Sequence, residues 1–224
     1  MKNSDLDLID NLLIQYETDQ SRALQQDSTV FEILGRTFDE DLISRMLAYT
    51  LKKEMGFVCK ILSHCLNRQI ASCHIINVEC EKSMCGGRAD IFLEAESESG
   101  ERFALTIENK IYSREHDDQT ETYYKYVSNQ SRYRNYEKIY IYLKPDFNGS
   151  LPACKNFHVL TYNQLLNLMS SQSDAIICDF MRHIKNNLIT KEIKLMDTDT
   201  RVLENYSKLK QIIKNAESKF EEVK

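Results

Sequence analysis

Apolar residues recur at helical spacing over residues 5–16, where Leu6, Ile9, Leu12, Leu13 and Tyr16 share one stripe. They do so again over 39–53, with Leu42, Ile43, Met46, Leu47, Thr50 and Leu51. Both segments predict amphipathic helices. Asp39 stands where it can cap the second, which places Glu40 in the first turn, where the positive end of the helix dipole favours a carboxylate. A further helix is expected over 57–68.

The period then changes from about 3.6 to two. In RADIFLE, Ala89, Ile91 and Leu93 alternate with Arg88, Asp90 and Glu94, and in ERFALTIENKI, Phe103, Leu105, Ile107 and Ile111 alternate with Thr106, Glu108 and Lys110. With ESESG between them, these runs predict an antiparallel hairpin. A helix is expected over about 115–128, strands at 138–143 and 157–160 with Lys-Pro-Asp and Asn-Gly marking the loop between them, and helices at 162–170 and about 174–188. The last segment spaces Val202, Tyr206, Leu209, Ile213, Ala216 and Phe220 by alternating fours and threes, a seam that fits a helix packed on its own domain or a dimer helix. The order of elements predicts an α/β fold, a mixed sheet sandwiched by helices, with helical additions at both ends.

Composition narrows the class. The 224 residues are 42% hydrophobic and 28% charged with only 6 Gly and 2 Pro, which excludes collagen-like, linker and low-complexity chains. No apolar run reaches the roughly 18 residues of a spanning helix, and the acidic start MKNSDLDLID does not resemble an export signal, so a cytoplasmic location without membrane contact is expected. The seven cysteines lack CxxC pairs and are expected to be reduced and mostly buried, with a zinc site from Cys73, His74, Cys80 and Cys85 as the rival reading.

The net charge of -5 means that no long-range positive field can draw in a polyanion, so contact with nucleic acid must be local. Between Tyr123 and Lys144, five basic residues face only Glu137 and are interleaved with tyrosines. Arg132, Arg134 and Lys138 are the expected phosphate contacts of that stretch, whereas Tyr140 and Tyr142 alternate as core residues of a strand.

Asp90 lies mid-strand among apolar neighbours, and Glu108 and Lys110 share one face of the partner strand. Charges at such positions are costly to desolvate unless paired or bound to a cation. Two carboxylates and a strand carbonyl, such as that of Asn109, offer the hard oxygen ligands Mg²⁺ prefers, and Lys110 could position a water for phosphodiester hydrolysis. Glu-x-Lys alone says little, because Glu192/Lys194 and Glu217/Lys219 repeat it without a preceding strand that carries an Asp. An ordinary cross-strand ion pair is the competing reading.

GRADIFLE, IENKI, EHDDQTETYYKY and IYIYLKPD resemble the successive motifs of the PD-(D/E)xK nuclease superfamily, in particular its small standalone prokaryotic members, over about Phe31 to Met169. The resemblance implies a restriction-endonuclease-like core, with a nuclease-like domain over 1–190, its helical entry at 1–68, and a helical extension over 191–224. It maps metal-binding and catalytic roles onto Asp90, Glu108 and Lys110, and adds Glu40 from the entry helix, since DEDLISRMLAYTL is similar to the family's own. Gln119 falls where the family often carries a Gln near the active site, and Tyr123, one turn later, joins the expected nucleic-acid contacts. Ala89 replaces the usual Pro and Ile43 a frequent His.

The implied activity is Mg²⁺-dependent phosphodiester hydrolysis, with Mn²⁺ as substitute, DNA favoured over RNA, and an association with defence against phage or mobile DNA. The alternative from another class is a catalytically silent relative that binds nucleic acid or a partner protein. A homodimer through the 201–222 helix is a further expectation.

Overall fold

The computed structural model describes residues 28–170 and 173–189. The helices expected over 5–16 and 201–222, the seam on the latter, its dimer and the 191–224 extension lie outside the described residues. Within them, helix α1 (Val30–Ile33) opens on a capping box in which Thr29 and Glu32 satisfy each other's backbone amides. Helix α2 (Glu40–Lys53) begins as expected at Asp39, whose Oδ1 accepts the Leu42 amide at 2.8 Å. Helix α3 (Met55–Leu66) ends at Asn67 in the left-handed conformation.

Strand β1 (Cys73–Met84) precedes the hairpin of β2 (Gly87–Ser97) and β3 (Arg102–Asn109). Helix α4 (Gln119–Asn129) and a single 3₁₀ turn lead into β4 (Tyr136–Lys144); β5 (His158–Thr161), α5 (Tyr162–Leu168) and α6 (Ala175–His183) follow. A π-helical turn over Ile184–Leu188 closes the described chain.

The five strands form one mixed sheet in sequence order, antiparallel from β1 to β3 and parallel from β3 to β5. Alternation along the strands sorts two cores. Ile91, Leu93, Leu105, Ile107 and Ile141 pack with residues of α2, α3, α5 and α6, while Phe92, Ala104, Tyr140 and Tyr142 pack with Tyr123 and Val127 of α4. The sheet sandwiched by helices expected from the sequence is therefore the observed architecture, α/β in class.

Strand β1 and helices α1 and α4 differ from expectation, α1 being a single turn with no periodic signal. Strand β1 is an edge strand with a bulge between Ile75 and Asn77, so its apolar positions do not alternate cleanly and give no period-two signal. Helix α4 starts four residues late because Asp117 and Asp118 adopt positive φ of 52° and 51°, and Glu115 reaches forward to accept the Thr120 amide at 2.7 Å. The zinc reading fails on geometry. Cys73 opens β1 and Cys85 follows its last residue, which separates them by roughly 35 Å along an extended strand, and no three His, Cys, Asp or Glu converge as a metal site among the described residues. Cys59, Cys73 and Cys154 are buried thiols, and Cys85 is an exposed one.

Candidate active site at the carboxyl ends of β3 and β4

The hairpin register, with Ile91 opposite Ile107, carries Asp90 to the end of β3, where its Oδ2 accepts the Asn109 amide at 2.6 Å. Glu108 is 1% exposed. Its Oε1 meets Lys110 Nζ at 2.6 Å, and its Oε2 is buried with no hydrogen-bond partner among the described residues. The Lys110 amide continues the parallel ladder to the Leu143 carbonyl at 2.9 Å, so the lysine is anchored by backbone as well as by charge. Asp90, Glu108 and Lys110 thus meet, as their spacing in the sequence predicts.

Alternation sends Asn109 the other way. Its side chain donates to Ser44 Oγ at 3.1 Å and accepts the Tyr162 hydroxyl proton at 2.8 Å, tying β3 to α2 and α5. This leaves its carbonyl, not its amide, for the ligand role expected from the sequence. Glu40 enters from the first turn of α2 and accepts from the Ile111 amide at 2.8 Å and the Ser113 hydroxyl at 2.8 Å. In this structure it holds the segment that follows Lys110.

Burial sets the electrostatics. Loss of hydration pushes the Glu108 carboxyl up to about 8, with the Asp90 charge adding to the rise and Lys110 opposing it. Burial also raises Asp90 to about 6 against the Asn109 amide and Lys110. Desolvation disfavours the Lys110 ammonium, yet Glu108, Asp90 and Glu40 together hold it above its ordinary value. Two crowded carboxylates, one with an orphaned oxygen, form a site short of positive charge. Hard oxygen donors in that state suit a divalent cation, and Asp90 and Glu108 are the residues that fit one.

Three residues that sequence reasoning missed complete the setting. Asn148 Nδ2 donates to the carbonyls of Lys110, Ile111 and Ser113 at 3.3, 3.1 and 3.0 Å. Ser113 holds Glu40, and Glu115 caps α4 while also accepting the Ala153 amide at 2.7 Å. Asn148 had a visible signal, the Asn-Gly of a turn, but a turn signal does not announce which backbone it will clamp.

The nucleic-acid contacts expected along 123–138 need correction. Tyr123 is fully buried and donates to the Arg88 carbonyl at 2.8 Å. It packs so closely on Gly87 that a Cβ there would sit 2.9 Å from its ring. A ring held inside the core has no face for a base. Arg132 is tied to the buried Glu94 carboxylate at 3.0 and 2.9 Å.

Because Lys138 pairs in register with Ala104 and Tyr142 with Glu108, Lys138 lies roughly 13 Å along the sheet from Glu108, and Arg132 and Arg134 precede even that point. These three belong to the far end of the sheet, Arg134 exposed and Lys138 donating to the Tyr136 carbonyl at 3.3 Å. Gln119, by contrast, is near Tyr123, its Nε2 3.4 Å from the phenol oxygen, and its buried Oε1 has no partner among the described residues.

Among the described residues no helix is long and apolar enough to cross a membrane. No curated protein and no solved structure matches the chain. A family model of the PD-(D/E)XK nuclease superfamily matches residues 28–193, well over half of the sequence. The match spans the whole described sheet and the Asp90, Glu108 and Lys110 cluster, and the chain belongs to the PD-(D/E)XK nuclease superfamily, whose members are typically nucleases that use divalent metals.

Proposed function

We propose that the protein is a Mg²⁺-dependent nuclease that hydrolyses phosphodiester bonds, in DNA in preference to RNA, with Mn²⁺ able to substitute. The observation that carries this reading is Glu108, a buried carboxylate with one oxygen on Lys110 and the other unpartnered among the described residues, beside Asp90 at the carboxyl ends of parallel strands, where open α/β sheets bind their ligands. Asp90, Glu108 and the Asn109 carbonyl would hold the cation, with Glu40 in reach of their field. Bound there, the cation would supply charge for the phosphoryl oxygen and a more acidic water.

The chain's own residues do the rest. Lys110, anchored at Leu143 and against Glu108, orients the attacking water and offsets the charge that builds on the phosphate. Water adds its oxygen to phosphorus and gives up a proton, the bond to the leaving oxygen opens, and that oxygen takes up one proton in exchange, so that the products together hold the atoms of one water. Asn148 and Glu40 keep the 110–113 segment in place, so the lysine does not wander between turnovers. Gln119 presents its unpartnered amide oxygen from the first turn of α4. A role in defence against phage or mobile DNA, in the cytoplasm, follows the resemblance to standalone prokaryotic members.

Incubation with plasmid, single-stranded DNA and RNA in Mg²⁺ or Mn²⁺, beside Lys110→Ala and Glu108→Ala, tests the reading. Cleavage lost in both variants is expected. Cleavage that survives both would place the chemistry elsewhere, and binding without cleavage in every condition would favour a silent, nucleic-acid-binding relative.

A further inference from the structure

Three aromatic rings from distant parts of the chain touch one another at the surface beside the active site. Phe38 and Tyr112 meet edge to face at 4.9 Å between centroids, and Tyr112 and Phe147 meet at 5.1 Å with ring planes 31° apart. All three are exposed, Tyr112 by 64% and the two phenylalanines by 40% each. Apolar surface left in water without a partner marks a site of interaction when it is contiguous.

The ridge is bound to the catalytic machinery on every side. Phe38 stands two residues before Glu40, Tyr112 lies between the two residues that hold Glu40, and Phe147 adjoins Asn148. Tyr112 and Phe147 also line a cavity of about 650 Å³ with Arg114, Gly149 and Leu151. That volume falls within the range of about 300–1,000 Å³ typical of small-ligand pockets. Arg114 is exposed and makes no ion pair among the described residues, which leaves its guanidinium for a phosphate.

We infer that the Phe38–Tyr112–Phe147 ridge and its cavity bind an unpaired nucleobase of the substrate, with Arg114 on the adjoining phosphate, so that single-stranded DNA is the preferred substrate. The inference rests on the nuclease reading for its substrate and deepens it. The chemistry selects the occupant. Aromatic faces stack on base faces, and a base shows its face only when it is unpaired; a duplex offers edges and phosphates alone. Among the described residues the basic stretch Arg132–Lys138 lies at the far end of the sheet and leaves the site little with which to hold a duplex, whereas stacking needs no net positive charge. The rings support one another, so little side-chain freedom is lost on binding.

Fluorescence anisotropy tests this with a labelled single-stranded oligodeoxynucleotide, its abasic counterpart and the matching duplex, on the full chain in EDTA and, for Lys110→Ala, in Mg²⁺. Tyr112→Ala and Phe147→Ala should each weaken single-strand binding roughly tenfold, the loss of one stacked base, and leave the abasic strand unaffected. Tyr112→Phe should keep the affinity, and unchanged melting temperatures should show that the fold is intact. Equal binding of single strand and duplex, no binding of the single strand in either condition, or Ala variants that bind as the parent does would overturn the inference. So would light scattering in which Tyr112→Ala dissociates a dimer while oligonucleotide affinity stays the same, for then a second copy covers the ridge. Parallel cleavage assays keep the two claims apart. Cleavage without any effect of the ridge leaves the nuclease reading standing alone, and ridge-dependent binding without cleavage leaves the base site standing alone.

Discussion

Glu94 and Glu108 lie on β2 and β3, each 1% exposed and each paired with a base, yet they do opposite work. Glu94 is saturated: Arg132 reaches both of its oxygens, and the Tyr136 hydroxyl stands 3.4 Å from Oε2. Its arginine is 62% exposed and can keep part of its hydration, so the pair ties β2 to the turn before β4 at modest cost. Glu108 is half-satisfied. Lys110 touches one oxygen, is itself nearly buried, and leaves the other oxygen without a donor among the described residues. A buried carboxylate whose bonds are all made is architecture, whereas one with spare valence at the carboxyl edge of a sheet holds capacity for a ligand.

Breaking the two pairs should therefore give opposite signatures. The largest effect is expected at the second pair, where Glu108→Ala or Lys110→Ala lowers cleavage by at least about a hundredfold in a steady-state assay with saturating metal, and the isosteric Glu108→Gln does so with a melting temperature close to the parent. The next is at the first pair. Arg132→Ala leaves Glu94 buried without its charge partner and should lower the urea midpoint, with cleavage per folded molecule within about threefold of the parent.

A pH series sharpens the contrast. The folded values of Glu108, about 8, and Asp90, about 6, lie above their ordinary ones, so the folded chain binds protons more tightly than the unfolded chain. The stability they contribute is complete below about pH 4, declines as pH rises through 6 and is lost through 8. Melting in EDTA should therefore fall between pH 5 and pH 8.5. Glu108→Gln, which keeps the shape without the charge, should flatten the upper part of that fall, and Mg²⁺ should raise the melting temperature most at the alkaline end. Protein that melts higher at pH 8.5 than at pH 5 in EDTA would refute the assigned electrostatics.

The smallest effect is expected from the supports. Tyr162→Phe removes the proton given to Asn109 and should cost about 1 kcal/mol by denaturation, with cleavage reduced only a few-fold.

Much of the fold was legible because it depends on neighbours in the chain. Asp39 as a cap, the period of two in β2 and β3, and the loop signals before β5 are local properties, and each element stands within a few residues of its expected place. The hairpin explains why the core of the site was legible too, since an antiparallel register aligns Asp90 with β3 once both strands are recognised. Strand β1 escaped because a bulged edge strand breaks alternation, and Arg132 misled because nothing near it in the chain announces Glu94, its partner 38 residues away.

The sequence by itself determined which residues alternate, which cap, and which three ionisable groups share the hairpin, because those follow from repeat length and short-range geometry. Only the tertiary structure decided that Tyr123 is sealed inside while Tyr112 is left in water, that Asn148 clamps the segment after Lys110, and that Phe38, Tyr112 and Phe147 form one surface. Those outcomes depend on how α4 and the 145–157 loop pack at the sheet end, and burial at a given position is set by what arrives from elsewhere in the chain.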